Sequence, residues 1–433
     1  MAKKTDKKKK KSTSFETLYK GRMDVTRSGM GYVIVDKLDS DIIVRPNGFN
    51  TALHGDTVRV RITGDQNKSG RKQGEVVEVV DRKQTEFMGR IEVSQNFAFF
   101  VAETDKPMPD IYIPLDKLNS AKNGDKVVVK LLSWEKNKKP NGAVLDIMDA
   151  GNVNDLAMKE IILENGFPIS FTEDVLEASE RLPETLPEAE IKKRKDVRGI
   201  LTFTIDPADA KDFDDAISFR VLKDGNYEIG VHIADVSYYV EPETELDKSA
   251  YERATSVYLP DRVNPMLPER ISNELCSLRP NEDKFTFSAI FEITPKGDIK
   301  DYWLGKTVIH SDKRFAYEDV QQIIESGEGE LKDEVLILNS LAQKFRKQRF
   351  KKGAINFSSQ EVRFKLDETG KPIGIVVKES KESHQLIEEF MLLANPRGTR
   401  FSTAMAGSIG EPAMFSILNR LPRLLIKRKR YTK

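Results

Sequence analysis

Five aspartates crowd into ten residues near the middle of this chain, between two stretches that must themselves be buried. The acidic run extends from Asp206 to Asp215. Residues 199–205 before it and 217–222 after it are apolar and β-branched, as in core strands. The run is therefore expected in a tight loop between two strands. Carboxylates held so close repel one another unless a cation lies among them, and hard oxygen ligands suit Mg²⁺ or Mn²⁺.

Other interpretations of the acidic run fit less well. Most acidic runs are solvated loops, but Phe213 and Ala216 place apolar side chains within this one. A calcium loop of the EF-hand type needs a glycine and a closing glutamate at fixed positions, and both are missing. A structural metal site remains open, and a catalytic metal site is the preferred interpretation.

The acidic run also resembles a known signature. Ile205-Asp206-Pro207 through Asp212-Phe213-Asp214-Asp215-Ala216 is similar to the signature of the ribonuclease II/ribonuclease R family of exoribonucleases. Further similar motifs follow in the same order at residues 231–240, 254–260, 265–269 and 275–278. The resemblance covers most of residues 20–395. It implies processive 3′-to-5′ hydrolysis of single-stranded RNA with a free 3′ end, releasing nucleoside 5′-monophosphates, with Mg²⁺ or Mn²⁺ as the cofactor.

The resemblance also implies roles for the aspartates. Asp206 and Asp215 correspond to direct metal ligands, and Asp212 completes the ligand set. Asp214 is the main catalytic carboxylate, which orients the attacking water or the scissile phosphate, and Asp212 shares this catalytic role. Asp209 lies between the signature positions and is expected to be a turn residue.

Two aromatic residues are implied to hold the RNA end. Tyr258 corresponds to the tyrosine that sets the length of the final product. Phe357 resembles the aromatic that clamps the terminal bases from the other side, although a core role stays open for it. His232, within an apolar strand, is interpreted as a core histidine, and Cys276 as a packing residue.

The first third of the chain contains an internal repeat. Residues 21–25 are echoed by residues 89–93, and residues 54–60 by residues 123–129. Short alternating strands with Gly, Asn and Asp turns are typical of a small Greek-key barrel. The family resemblance identifies the two copies as cold-shock-type OB modules.

Barrels of this kind bind single strands by stacking bases on exposed aromatics within a basic groove. Tyr32, Phe99 and Phe100 are the predicted RNA-binding residues. Further candidates are Phe97 and the basic residues Arg22, Arg59, Arg61 and Arg90. Because neighbouring residues on a strand face opposite ways, about half of these aromatics must lie in the core, and the sequence does not say which.

Composition sets the remaining limits. The net charge of +1 conceals a lysine-rich start, and 39% hydrophobic residues allow sizeable cores. No apolar run is long enough to span a membrane. A single cysteine excludes an internal disulfide framework and fits a cytoplasmic location. The protein is expected to be a monomer without membrane contact, with the ribosome or RNA-turnover factors as further candidate partners.

The chain is predicted to be multidomain: two N-terminal cold-shock-type OB β-barrels, then an incomplete α+β catalytic domain of ribonuclease II type. The predicted segments are a disordered basic tail (1–20), the two modules (21–82 and 87–149), a helical connector (150–196), the catalytic domain (197–395) and a basic tail without family pattern (396–433).

The expected end of the family pattern at Asn395 has a consequence for activity. Residues 396–433 carry nine Lys or Arg against one acid, Glu411. A truncated or frameshifted reading frame would produce such an end, and impaired activity is then expected. The alternative is a natural basic tail that binds RNA. The competing function is a non-catalytic RNA-binding protein that acts through its OB modules.

Overall fold

The computed structural model describes residues 18–36, 38–64, 71–148, 153–355, 361–367, 370–378 and 380–405. For residues 64, 361, 378 and 396–405 it describes the backbone alone. The chain divides into two compact units, Met1–Ser170 and Phe171–Lys433. Phe357, expected to clamp the RNA end, lies outside the described residues. No helix in the described part of the chain is long and apolar enough to cross a membrane.

The first unit contains two closed five-stranded barrels, with strand orders β1-β2-β3-β5-β4 and β10-β8-β7-β6-β9. Its strands are β1 (Leu18–Val25), β2 (Gly31–Ile34), β3 (Ile42–Val44), β4 (Thr57–Gly64), β5 (Gln73–Asp81), β6 (Glu86–Val93), β7 (Ala98–Ala102), β8 (Ile111–Ile113), β9 (Lys126–Ser133) and β10 (Asn141–Ile147). Short 3₁₀ helices lie at Pro46–Gly48 and Leu115–Lys117, and helix α1 (Val153–Glu164) follows the second barrel. The two predicted barrels are confirmed.

Strand alternation decides which aromatics of the second barrel are accessible. Phe100 is fully buried with Ile91 and Ile113 in the barrel core. Its predicted role in RNA binding is therefore wrong, because on β7 the core takes Ala98 and Phe100. Phe99 points to the other side and remains accessible.

The second unit is a mixed α+β domain, as predicted. Its elements are α2 (Glu173–Glu180), α3 (Glu188–Ile191), β11 (Lys195–Asp196), β12 (Thr202–Asp206), β13 (Asp215–Val221), β14 (Tyr227–Ala234), α4 (Val236–Tyr239), α5 (Glu245–Arg253), β15 (Val257–Tyr258), β16 (Val263–Asn264), a π-helical segment (Arg270–Leu275), β17 (Glu282–Ile293), β18 (Ile299–Ser311), β19 (Lys313–Ala316), α6 (Tyr317–Ser326), α7 (Lys332–Lys351), β20 (Glu361–Leu366), β21 (Pro372–Lys378) and α8 (Glu382–Met405).

A seven-stranded sheet organises this unit, in the order β11-β18-β17-β14-β13-β12-β19. Helices α6, α7 and α8 cover one face, where residues such as Val320, Leu338 and Phe390 pack on Phe203 and Phe291. A second core lies against the other face and includes segments from α2, α5 and the π-helical turn. Both faces are covered, which explains why β12 is buried at every position.

One residue of a basic run is buried. Runs of charged residues usually form a solvated face, and Lys192, Lys193 and Lys195 are exposed, but the side chain of Arg194 is fully buried. Its guanidinium pairs with Asp235 at 2.7 Å and lies 4.1 Å from the ring centroid of Phe285. A buried arginine requires such a partner, and a sequence pattern of four basic residues does not show one.

His232 is the buried core histidine that the sequence indicates. Its Nδ1 lies 2.6 Å from the Ser288 hydroxyl and its Nε2 lies 2.8 Å from the Ser218 hydroxyl. Burial lowers the pKa of the ring to about 3, so the side chain is neutral at physiological pH. The histidine thus joins three neighbouring strands through hydrogen bonds within a dry core.

Replacing this histidine tests its structural role. His232→Ala removes the partner of the buried Ser218 hydroxyl and one of the partners of Ser288, and creates a cavity, so we expect the free energy of unfolding to fall by about 3 kcal/mol. Urea denaturation measures this change. His310→Ala is the control, because the ring of His310 is partly exposed and pairs with Asp283, and should cost less than about 1 kcal/mol. Equal losses in the two variants would contradict the assignment.

Candidate active site

The aspartates lie where one strand of the sheet ends beside the start of its antiparallel neighbour. Asp206 ends β12 and Asp215 begins β13. The strands are antiparallel, with Phe203 opposite Ile217, so the end of one lies beside the beginning of the other. Residues 207–214 form the connection, which we call the acid loop. The predicted arrangement of an acidic loop between two core strands is confirmed.

Backbone hydrogen bonds fix the second half of the acid loop. The Phe213 amide donates to the Ser277 hydroxyl at 3.0 Å, and that hydroxyl donates to the Lys211 carbonyl at 3.0 Å. The Leu278 amide donates to the Phe213 carbonyl at 2.9 Å, and the Ala234 amide to the Asp214 carbonyl at 3.0 Å. The loop backbone is therefore held by the segment after the π-helical turn and by β14.

Three of the aspartates titrate far above their ordinary range. Burial, together with the charges of Asp206 and Asp214, raises the pKa of Asp215 to about 7. Burial and the charge of Asp212 raise the pKa of Asp214 to about 6. For Asp206, burial raises the pKa to about 6 although the nearby Arg314 opposes the rise. These carboxylates therefore repel one another.

The buried carboxylate of Asp206 has an oxygen atom without a hydrogen-bond partner. Oδ2 of Asp206 is buried and makes no hydrogen bond, which is unusual for a native protein. Tyr317, at the start of α6, lies near the same group, and burial with the charges of Asp215 and Asp206 raises its pKa to about 12. An uncompensated carboxylate of this kind is a candidate ligand for a cation.

Asp212 and Asp209 occupy the outer part of the loop. The hydroxyl of Tyr258 donates to Oδ2 of Asp212 at 3.3 Å. Asp209 lies in a turn with 81% of its side chain exposed, 3.8 Å from the guanidinium of Arg363, which confirms its prediction as a turn residue. As the side chains stand, no three His, Cys, Asp or Glu residues in the described ranges have the spacing of a metal site.

An open cleft leads to this edge of the loop. It has a volume of about 880 Å³. Tyr258, 68% exposed, lines it together with Asp212 and with Val362 and Phe364 of β20. The lining carries both charges: Lys211, Arg262 and Arg363 against Asp209, Asp212, Asp261 and Glu269. The cleft offers apolar and aromatic surface on which bases can stack.

The predicted RNA-binding aromatics of the first unit differ in their surroundings. Phe99 packs edge-on against Phe97 and Tyr112, and the ammonium of Lys139 lies 4.0 Å from its ring centroid. We call these four residues the aromatic patch. Tyr32 of the first barrel is half-buried and has the Arg71 guanidinium 5.5 Å from its ring centroid.

The arginines predicted to surround the aromatics are largely paired with acids. Arg59 pairs with Glu78 at 2.7 Å, and Arg90 pairs with Glu103 at 2.9 Å. Arg61 pairs with Glu75. The sequence analysis did not identify Tyr112 and Lys139 as candidates, although Tyr112 lies within the second copy of the internal repeat. It also missed the role of Ser277, although Ser277 lies in the motif at residues 275–278, and that of Arg314, for which no local pattern gives a signal.

Three family models match the chain in succession. A Ribonuclease B OB domain matches residues 21–79, a Cold shock domain residues 99–172 and an RNB domain residues 194–417. The RNB match covers a little over half of the chain and extends past Asn395, where the family pattern was expected to stop.

Curated relatives are similar over most of this chain. Ribonuclease R of Aquifex aeolicus is 33% identical over 88% of this chain and 54% of its own length. Ribonuclease R of Thermotoga maritima is 37% identical over 88% of this chain and 54% of its own length. The chain thus spans about half the length of these relatives.

Solved structures share the fold. Mycoplasma genitalium RNase R in complex with ribose-methylated single-stranded RNA superimposes with a TM-score of 0.67 at 25% identity, covering 87% of this chain and 60% of that one. Yeast Ssd1, a pseudonuclease, gives 0.54 at 19% identity, covering 86% of this chain and 53% of that one, which shows the fold alone. The chain therefore belongs to the ribonuclease II/ribonuclease R family, with OB and cold-shock barrels ahead of an RNB domain.

Proposed function

We propose that this protein is a processive 3′-to-5′ exoribonuclease that hydrolyses single-stranded RNA with a free 3′ end to nucleoside 5′-monophosphates. The observation that carries the proposal is the set of mutually repelling aspartates with raised pKa values, beside Asp212, which lines a cleft together with the exposed Tyr258. It stands in a chain that matches an RNB domain, and a related RNase R has been solved with single-stranded RNA.

The proposed cofactor is Mg²⁺, with Mn²⁺ as a substitute. Its support is chemical: hard oxygen donors, raised carboxylate pKa values and a buried oxygen of Asp206 without a hydrogen bond. Asp206 and Asp215 would be the direct ligands and Asp212 would complete the set. When bound, such ions neutralise the phosphate and lower the pKa of water, which supplies the nucleophile for phosphodiester hydrolysis.

The protein side chains then divide the remaining work. Asp214, whose pKa is raised by desolvation and by the charge of Asp212, would orient the attacking water and accept its proton. Tyr258 presents a ring face for stacking and a hydroxyl tied to Asp212, so it would hold the last bases at a fixed distance from the aspartates. Val362 and Phe364 give apolar surface on another wall of the cleft.

A direct assay tests this function. The purified protein is incubated with a 3′-tailed RNA in the presence of Mg²⁺, and the products are separated by size. The proposal expects 5′-monophosphates to accumulate, short end products to remain, and EDTA to stop the reaction. Internal fragments, or equal hydrolysis of the matching deoxyribo-oligomer, would contradict it.

A non-catalytic RNA-binding protein is the second candidate, because the aromatic patch of the second barrel is a complete stacking surface without the acid loop. Bases that stack on such a surface contribute about 1–3 kcal/mol each. Both functions expect the patch to bind RNA. They differ in the role of the aspartates, which the exoribonuclease needs for hydrolysis and the RNA-binding protein does not use.

Removing the central ring of the patch tests RNA binding in either case. We expect Phe99→Ala to weaken affinity for a single-stranded RNA about tenfold, because one stacking ring is lost. Fluorescence anisotropy with a labelled oligonucleotide measures this. Leu132→Ala is the control, since Leu132 is exposed on the same barrel but outside the patch. Unchanged affinity in Phe99→Ala would exclude the patch.

A further inference from the structure

Arg314 reaches the acid loop from β19, the strand that runs parallel to β12. The register places Asp206 opposite Ala316. One terminal nitrogen of the Arg314 guanidinium donates to two successive carbonyl oxygens, that of Pro207 at 2.7 Å and that of Ala208 at 2.9 Å. These are the first two residues after Asp206. A single side chain therefore fixes the backbone where the chain leaves the sheet to form the loop.

The same guanidinium also meets the other end of the acid loop. Its central carbon lies 5.5 Å from the ring centroid of Phe213, the residue whose amide is held by Ser277. The Nε atom is buried and has no hydrogen-bond partner, so this part of the guanidinium is enclosed by protein. Arg314 thus contacts both halves of the acid loop.

The charge of Arg314 acts on the aspartates, while its guanidinium donates hydrogen bonds to backbone carbonyls. It opposes the rise in the pKa of Asp206, yet within the described residues Arg314 forms no ion pair with a carboxylate and donates to carbonyl oxygens instead. An arginine paired directly with Asp206 would compete with a divalent cation for the same oxygens. Arg314 leaves those oxygens available.

We propose that Arg314 is a positioning residue for the acid loop. By holding the Pro207 and Ala208 carbonyls, it sets the direction of the Asp206 carboxylate toward a divalent cation. The inference rests on the proposed function and assigns a role that the acidic signature itself does not contain.

Two possible roles of Arg314 predict opposite changes in divalent-cation affinity when the arginine is removed. If the arginine acts only through its charge, removing it makes the site more negative and divalent cations bind more tightly. If it positions the loop, removing it weakens binding although the electrostatic repulsion is gone. The comparison is made at about pH 8.5, where the carboxylates are deprotonated and proton competition is small.

The experiment measures Mn²⁺ affinity by electron paramagnetic resonance in Arg314→Gln and Arg314→Lys. We expect about tenfold weaker binding in Arg314→Gln, because two charge-assisted hydrogen bonds are lost, and partial rescue in Arg314→Lys, which keeps a charged donor. In turnover assays kcat falls and KM for RNA stays. Arg220→Gln is the control, since Arg220 lies on β13 of the same sheet, near the end of the strand away from Asp215, and pairs with Glu228.

A metal-free measurement separates this inference from the function on which it rests. Hydrogen–deuterium exchange without metal should be faster over residues 206–214 in both Arg314 variants than in the wild type. Unchanged or tighter Mn²⁺ binding by folded Arg314→Gln would overturn the inference, and if that variant does not fold, unchanged binding and exchange in Arg314→Lys would do so. A wild type that binds no Mn²⁺ would refute the proposed metal site and the inference together.

Discussion

Asp214→Asn is expected to reduce turnover by about a thousandfold or more while affinity for RNA stays unchanged. The substitution keeps the shape of the side chain and removes the base that would take a proton from water, and general-base catalysis together with charge positioning accounts for effects of this size. The substitution removes a negative charge, so it does not weaken the attraction of RNA from solution. Single-turnover cleavage and anisotropy titration measure the two quantities separately.

The acid loop provides its own control for this result. Asp209→Asn changes an exposed turn carboxylate in the same loop and should change turnover less than about threefold, since exposed charges act weakly. If Asp214→Asn and Asp209→Asn behaved alike, the exoribonuclease proposal would fail and the RNA-binding alternative would gain. Loss of RNA affinity in Asp214→Asn would instead indicate that this carboxylate shapes the RNA cleft.

Asp215→Asn is expected to stabilise the metal-free protein at about pH 8 while abolishing its response to Mg²⁺. Burial and like charges raise the pKa of Asp215 to about 7, so the folded state binds a proton more readily than the unfolded state. Stability from this group is present at low pH and is lost as pH rises through 7. The neutral amide avoids that loss, and we expect a gain of about 2 kcal/mol at pH 8.

In the wild type, divalent cations are expected to convert the destabilising effect of the deprotonated carboxylates into a stabilising one. Ions that bind the deprotonated carboxylates of the folded state should raise its stability by about 2.7 kcal/mol at a hundredfold excess over Kd. Differential scanning fluorimetry across about pH 5–8.5, with and without Mg²⁺, measures both effects. Asp209→Asn should follow the wild type throughout. An Asp215→Asn protein less stable than wild type at pH 8 without metal would contradict the electrostatic account.

The acid loop was predictable because its signals are local. A buried strand, a dense acidic run and a second buried strand dictate a loop at a sheet edge, and the structure places Asp206 and Asp215 at its two ends. The exposed turn at Asp209 followed from the same pattern. The repeat at the start of the chain likewise predicts two barrels, since alternating strands with Gly and Asn turns have few other closed arrangements.

Features that depend on distant contacts were not predictable. The sequence 97–100 contains three phenylalanines, and only the barrel register decides that Phe99 faces outward and Phe100 inward. Arg194 is one of four consecutive basic residues, and its burial depends on its partner Asp235, which lies far along the chain. Arg314 carries no motif at all, because its targets are backbone carbonyls that every residue possesses.

The central claim is that Asp206 and Asp215, with the aspartates of the acid loop between them, hold divalent cations where the end of an RNA strand arrives. The most direct measurement is an anomalous-scattering map from crystals of the protein with Mn²⁺ and a non-hydrolysable RNA. The account predicts a peak within coordination distance of Asp206 and Asp215, about 2.0–2.2 Å from their oxygens. A well-ordered RNA end beside these aspartates with no anomalous peak among them would contradict it.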